Sequence, residues 1–176
     1  MALVNLKINN IPVSVEAGTT ILEAARSAGI KIPTLCYLKD INAIGACRVC
    51  VVEVKGARSL VAACVYPVNE GMEVFTNTKR VLDSRKTTVE LILSDHKKEC
   101  LGCIRNNNCE LQTLAIELGC DDHKYKGDTN SYPIDDSTPY IVRDNDKCVL
   151  CRRCVAACSK YQSVGVIGAN ARGFDT

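Results

Sequence analysis

Cys36-Tyr37-Leu38-Lys39-Asp40-Ile41-Asn42-Ala43-Ile44-Gly45-Ala46-Cys47-Arg48-Val49-Cys50-Val51-Val52-Glu53-Val54, followed further on by Ala63-Cys64, is the stretch on which the fold turns. Its cysteines are spaced C-x10-C-x2-C-x13-C. Such spacing fits a loop that wraps a metal core with three thiolates, closed by a fourth from a strand downstream. Gly45 and Ala46 stand just before Cys47. There the backbone can pass close to inorganic sulfide and donate N–H bonds to it, which tune redox potential. Structural zinc usually takes two short cysteine pairs. Only one pair is short here, so the spacing favours an iron–sulfur core, with zinc as the alternative.

Upstream, Leu3 to Ile8 and Ile11 to Val15 alternate apolar and polar residues around Asn9-Asn10, a hairpin pattern. Thr20-Ile21-Leu22-Glu23 is a capping box that opens a helix on Ile21, Leu22, Ala25 and Ala28, with Gly29 as its stop. Downstream, Val49–Val54, Leu60–Val65 and Met72–Phe75 are expected as strands, with a turn at Lys55–Arg58. These elements make one α+β unit over residues 1–77. Residues 78–94 then show a helical period on Val81, Leu82, Val89, Leu91, Ile92 and Leu93. A short helix is expected over Cys109–Leu118, closing a second unit at 78–120. Residues 121–139, rich in Asp, Ser, Thr, Gly, Tyr and Pro, read as a linker. The last segment, 140–176, is expected to hold a strand at Tyr140–Arg143, a helix at Arg152–Tyr161 and a closing strand at Val164–Ile167.

The chain has 176 residues, 47% apolar and 24% charged, which is ordinary for a folded globular protein. Twenty-two basic residues against 20 acidic ones give a net charge of +2, no basis for binding nucleic acid or an anionic membrane. No apolar run reaches the roughly 18 residues that span a bilayer, and Met1-Ala-Leu-Val-Asn-Leu-Lys7 lacks a signal-peptide block. A cytoplasmic location is therefore expected, where thiols stay reduced. That makes a disulfide scaffold the weakest explanation of twelve cysteines.

Two further cysteine sets follow the first. His96-x3-Cys100-x2-Cys103-x5-Cys109 is one, and Cys148-x2-Cys151-x2-Cys154-x3-Cys158 is the other. Cys120 stands alone and is read as a buried, inert thiol. His123, in Asp121-Asp122-His123-Lys124, is read as solvated. His96 has two readings: a metal ligand, or a solvated ring favoured by a helix C-terminus. The third set has the two-cluster ferredoxin spacing, in which the first three cysteines share one [4Fe–4S] cluster and the fourth serves another. Ser159 replaces the usual proline, and no second such run follows.

The first set, with Cys36-Tyr-Leu and Gly-Ala-Cys47-Arg-Val-Cys50-Val-Val-Glu-Val, resembles the N-terminal iron–sulfur region shared by iron-only hydrogenases and some formate dehydrogenases. The large iron–sulfur subunit of respiratory NADH dehydrogenase is related. The resemblance implies a β-grasp [2Fe–2S] ferredoxin-like domain, a small helical domain in which His96, Cys100, Cys103 and Cys109 hold a [4Fe–4S] cluster, and a partial ferredoxin-like segment. Cys151-Arg-Arg-Cys154, Cys158 and Gln162-Ser-Val-Gly-Val-Ile-Gly168 resemble the hydrogenase and formate dehydrogenase branch, so the chain is expected to be cut short. Cys148, Cys151 and Cys154 then take a fourth ligand from absent sequence or a partner chain; alternatively Cys158 closes the site itself, or Cys120 does.

No dinucleotide-binding glycine loop or phosphate-binding loop is present, and no catalytic motif is recognisable. The expected function is an electron-transfer module with one [2Fe–2S] and two [4Fe–4S] clusters. Its expected partners are a flavin- or NAD-handling subunit on one side and a hydrogenase, formate dehydrogenase or ferredoxin-linked protein on the other. Two alternatives stay open: an N-terminal fragment of a catalytic hydrogenase or formate dehydrogenase, and a zinc-binding interaction module. Arg48, Arg152 and Arg153 flank cluster cysteines, either to neutralise clusters, to dock an acidic partner, or as solvated charges.

Overall fold

The computed structural model describes residues 2–121 and 124–176. Strands β1 (Leu3–Ile8) and β2 (Ile11–Glu16) pair antiparallel in full register from Leu3↔Glu16 to Ile8↔Ile11. Asn9 and Asn10 both take positive φ, 50° and 67°. That is the conformation of a tight hairpin turn, and asparagine tolerates it better than most residues. Helix α1 (Ile21–Ser27) begins where expected, with the Thr20 hydroxyl accepting from the Glu23 N–H at 3.3 Å. The Glu23 carboxylate does not complete a capping box; it accepts from the Tyr37 hydroxyl at 2.8 Å and pairs with Arg26 at 3.0 Å. Strands β3 (Val51–Val54), β4 (Val61–Ala62) and β5 (Glu73–Phe75) complete a five-stranded sheet of order β2-β1-β5-β3-β4, in which only β1 and β5 run parallel.

The inner face of the sheet packs on α1 through Leu6, Ile8, Val13, Ile21, Leu22, Val52 and Val74. Cys50 and Cys64 belong to this same core. The cysteine loop is therefore anchored at both ends in close-packed apolar structure, not on a mobile surface segment.

Helix α2 (Lys79–Ser94) is capped by the Thr78 hydroxyl, which accepts from the Val81 N–H at 3.3 Å. Its buried residues are Val81, Arg85, Val89, Glu90 and Leu93. Four of them lie at strict i+4 spacing, one ridge along the helix. Leu82 and Leu91, expected among the apolar positions, are instead exposed. Helix α3 (Glu110–Glu117) packs on α2. Leu35 and Val49 from the cysteine loop, Val89 and Leu93 from α2, and Leu111 and Leu114 from α3 form a second apolar cluster.

Beyond α3 the chain is mostly irregular. The strands expected at Tyr140–Arg143 and Val164–Ile167 do not form. The first is reduced to a single bridge between Asp135 and Arg143, with Tyr140 92% exposed and nothing to bury it. The helix expected over Arg152–Tyr161 is a short α4 (Arg153–Ala156) that widens into a π-helical turn at Ala157–Tyr161. Among the described residues, no helix is long and apolar enough to cross a membrane.

Candidate metal centres

In the first set the four sulfurs meet. Cys36 lies within hydrogen-bonding contact of Cys47 and Cys64, and Cys64 of Cys50. The contacts run as a chain, Cys47 to Cys36, Cys36 to Cys64 and Cys64 to Cys50. The Cys47 and Cys64 thiols donate to Cys36 and hold it far down, at about 2, with the Cys47 and Ala46 N–H groups adding to the effect. The thiols that donate to Cys36 are pushed up: Cys47 by Cys36, and Cys64 by Cys36 and Cys50. Sulfurs this crowded cannot all ionise together unless a cationic core sits between them. The donor set therefore fits an iron–sulfur cluster.

Local backbone conformation explains how the loop reaches this arrangement. Gly45 has φ +63°, and a Cβ there would come within 3.2 Å of Val65 Cγ2. Arg48, between Cys47 and Cys50, also sits in the left-handed region at φ 58°. Left-handed residues between cysteines turn successive N–H groups inward, as anion-binding nests do. The expected N–H donors beside Cys47 are found, with the Ala46 and Cys47 amides directed at the Cys36 sulfur.

In the second set, His96 follows α2 by two residues, and Cys109 stands immediately before α3. Cys100 opens a 3-10 turn, Cys100–Gly102, with the Cys103 N–H returning to the Cys100 carbonyl at 3.2 Å. The Arg105 N–H donates to Cys103 Sγ at 3.4 Å. His96 is not the solvated ring of the alternative reading. Its Nδ1 is buried with no hydrogen-bond partner, and burial pushes its pKa down, favouring neutral imidazole. An orphaned buried ring nitrogen wants a partner, and neutral imidazole is the form that ligates metal.

The third set lies on the surface side. Cys148 and Cys154 are exposed, and Cys151 and Cys158 are half-buried. The Leu150 N–H donates to Cys148 Sγ at 3.4 Å, the same motif seen at Cys103. Leu150 and Arg152 are left-handed, at φ 52° and 58°. Cys158 differs from its neighbours. The N–H groups of Ile167, Val166 and Gly165 point at its sulfur and hold its pKa down. The Val164 and Gly165 N–H groups also donate to the Cys158 carbonyl, at 3.0 and 3.3 Å, so the donors of 164–167 turn back on Cys158 and no strand forms there.

The three sets share one apolar hub. Cys47, Cys109 and Val149, next to Cys148, all pack against the cluster of Leu35, Val49, Val89, Leu93, Leu111 and Leu114. Three polar links tighten it. Asn42, 2% exposed, donates through Nδ2 to the carbonyls of both Cys36, at 2.7 Å, and Cys151, at 3.0 Å. Arg153 pairs with Glu110 at 2.6 Å, and the Lys97 N–H donates to the Asp146 carbonyl at 2.9 Å. Arg153 is thus engaged within the molecule, whereas Arg152 is exposed and Arg48 reaches the Leu60 carbonyl at 3.4 Å. Asn42 carried no signal as a linker in the sequence, because its partner is 109 positions away. Cys120 packs against the hub, its Sγ donating to the Lys86 carbonyl at 3.9 Å, and burial raises its pKa, the behaviour of an inert thiol. His123 lies outside the described residues.

Arg85 was also hidden in the sequence, because a charged residue in a helix of mixed pattern gives no sign of burial. It is 4% exposed, and its Nη2 donates to the Val51 carbonyl at 2.7 Å. Desolvation lowers its pKa to about 10, opposed by the charge of Cys50. The one available clue was its place midway between Val81 and Val89 on an i+4 ridge.

Comparison with known proteins agrees with this geometry. Residues 1–79 match a 2Fe-2S iron-sulfur cluster binding domain, and residues 85–124 match the NADH-ubiquinone oxidoreductase-G iron-sulfur binding region. The chain is 45% identical over 179 aligned positions to the NADP-reducing hydrogenase subunit HndD of Solidesulfovibrio fructosivorans, covering 99% of this chain and 31% of that protein. It is 34% identical to the NADH-ubiquinone oxidoreductase 75 kDa subunit of Reclinomonas americana, covering 99% of this chain and 25% of that protein. The chain thus spans between a quarter and a third of these curated relatives. A crystal structure of an NAD+-reducing [NiFe]-hydrogenase in the H2-reduced state superposes with a TM-score of 0.91 at 30% identity, covering 99% of this chain and 73% of that one. With its 2Fe-2S domain, its adjoining NADH dehydrogenase-type iron–sulfur region and this close structural match, the chain belongs to the iron–sulfur family shared by hydrogenase subunits and the large iron–sulfur subunit of respiratory NADH dehydrogenase.

Proposed function

We propose that this chain is an electron-transfer module of a larger oxidoreductase assembly, and that it has no substrate site of its own. The observation that carries the reading is the convergence of three cysteine sets on one apolar hub. In this reading Cys36, Cys47, Cys50 and Cys64 hold a [2Fe–2S] cluster within a β-grasp domain, residues 1–77. His96, Cys100, Cys103 and Cys109 hold a [4Fe–4S] cluster within a helical domain, residues 78–120. Residues 121–139 link these to a ferredoxin-like segment, 140–176, in which Cys148, Cys151 and Cys154 hold a second [4Fe–4S] cluster. Clusters of these kinds, when bound, take up and release single electrons at potentials set by ligand, hydrogen bonding and burial.

The chain's own residues supply those controls. Leu35, Val49, Val89, Leu93, Leu111 and Leu114 keep water out of the space between the sets. The amides of Ala46, Arg105 and Leu150 donate to ligand sulfurs. Neutral His96 replaces a thiolate, which lowers the negative charge of its site and favours reduction there. Cys158 takes N–H bonds from its own loop and stands at the place in the two-cluster ferredoxin spacing that serves a second cluster, so in this reading the fourth ligand of the third site comes from outside this set. The 45% identity to a hydrogenase subunit supports partners of that kind, with an NAD- or flavin-handling subunit on one side and a hydrogenase, formate dehydrogenase or ferredoxin-linked protein on the other. A cytoplasmic site is part of the same proposal.

Anaerobic titration of the reconstituted chain with dithionite, followed by visible absorbance and EPR, tests this. Reversible bleaching with at least two distinct paramagnetic species is expected. A colourless chain, or one that takes up no electrons reversibly, would overturn it.

A further inference from the structure

Arg85 occupies a place where an arginine has little reason to be. It sits on the buried ridge of α2 between Val81 and Val89, with 4% of its surface exposed. Nη2 donates to the Val51 carbonyl at 2.7 Å, while Nε is buried with no acceptor. No carboxylate pairs with it among the described residues. The acidic side chains on the neighbouring elements are engaged elsewhere. Glu53 of β3 accepts from the Thr78 hydroxyl at 2.8 Å and faces Arg80 at 3.6 Å. Asp83 pairs with Lys79, and Glu90 with Lys86 and Lys124. A buried guanidinium without a counter-charge is strongly disfavoured. Val51, which it holds, is the residue after Cys50, and the charge it feels is that of the Cys50 sulfur.

We propose that Arg85 is the counter-ion of the metal cluster held by the first cysteine set, and that its fixed positive charge raises the potential of that centre. The inference rests on the reading of Cys36, Cys47, Cys50 and Cys64 as ligands of a [2Fe–2S] cluster. Such a centre carries net negative charge that grows by one unit on reduction, so a nearby buried cation stabilises the reduced form more than the oxidised one. The arrangement has a structural corollary. The helix that ends beside His96 of the second site also carries the charge that sets the first, so α2 joins the two electrostatically as well as by packing.

The ordinary alternative is that Arg85 is a packing residue that ties α2 to β3 through Val51. Two variants of the full chain, reconstituted anaerobically, separate the two roles. R85Q keeps an N–H donor for Val51 but removes the charge; R85K keeps the charge on a different donor. EPR-monitored redox titration of the [2Fe–2S] signal, with iron and sulfide counts, is the readout. The expected result is a shift of the R85Q midpoint to lower potential, with R85K closer to the parent protein. Loss of iron from R85Q with retention in R85K supports the same conclusion. Equal potentials in R85Q, R85K and the parent chain, or loss of iron from both variants, would overturn it. Absence of a [2Fe–2S] signal from the parent chain would instead sink the ligand reading beneath it, and this inference with it.

Discussion

Replacing Asn42 with leucine removes a single side-chain amide that holds two cysteine loops together. Leucine keeps the branching and the number of heavy atoms, so the main perturbation is the loss of the polar atoms. Asn42 Nδ2 donates at 2.7 Å to the Cys36 carbonyl and at 3.0 Å to the Cys151 carbonyl, and the residue is 2% exposed. Each hydrogen bond is worth about 1 kcal/mol net, and leaving a buried carbonyl unsatisfied adds on the order of 1–3 kcal/mol. Two lost bonds and one unsatisfied buried carbonyl therefore cost about 3–5 kcal/mol in all. This cost divides unevenly. The Cys36 carbonyl lies within the core and bears the desolvation penalty, whereas the Cys151 loop is partly open to water and loses about 1 kcal/mol. Local opening of residues 148–154 should then become about fivefold more frequent. Hydrogen exchange followed by mass spectrometry on the holoprotein reads this directly. Peptides from the β1–β2 hairpin serve as the internal standard, since its register is independent of Asn42. Unchanged exchange at 148–154, in a variant that keeps the absorbance of its first centre, would refute the idea that Asn42 couples the first and third sets.

Other consequences follow from single residues. H96C adds a negative thiolate to the second site, so its centre should remain but at a potential lower by on the order of 100 mV; redox titration with EPR detection measures this, and an unchanged potential would remove His96 from the ligand set. C120A should leave iron content unchanged, because this thiol is raised by burial and donates to the Lys86 carbonyl; loss of about four irons would make Cys120 a cluster ligand. Lys124, donating at 2.8 Å, is the main cause that holds the Glu90 carboxyl below its ordinary 4.5. That contribution is complete above the unfolded value and disappears as pH falls through the lower folded value. The 124–132 segment should accordingly become protease-sensitive in acid, and E90Q should show the same sensitivity at neutral pH. Resistance in E90Q would show that the segment is held by other contacts.

What could be read from the sequence was what depends on short range. The hairpin was visible because Asn9-Asn10 suits a positive-φ turn between two alternating runs. Helix α1 was visible from Thr20 at its cap, and α2 from the period of its apolar residues. The first cysteine set was legible from its spacing alone, and the structure brings those four sulfurs together. What escaped depends on partners distant in the chain. Tyr140–Arg143 has the composition of a strand but no neighbouring edge on which to pair. Val164–Ile167 is rich in β-branched residues, yet its amides turn back on Cys158, Val164 and Gly165 to the carbonyl and Val166 and Ile167 to the sulfur. Arg85 and Glu90 look like surface charges in a helix of mixed pattern, and they are buried because a carbonyl of β3 and the Lys124 ammonium wait for them. Charge alone does not reveal burial when the compensating group lies 34 positions away.

Counting iron and acid-labile sulfide per chain after anaerobic purification, alongside low-temperature EPR of the reduced protein, bears most directly on the central claim. The account predicts about six irons with matching sulfide when the first two centres are filled, and about ten when the third is completed. One signal of [2Fe–2S] type and at least one of [4Fe–4S] type should accompany them. A colourless protein that carries zinc without sulfide, or no metal at all, would contradict it.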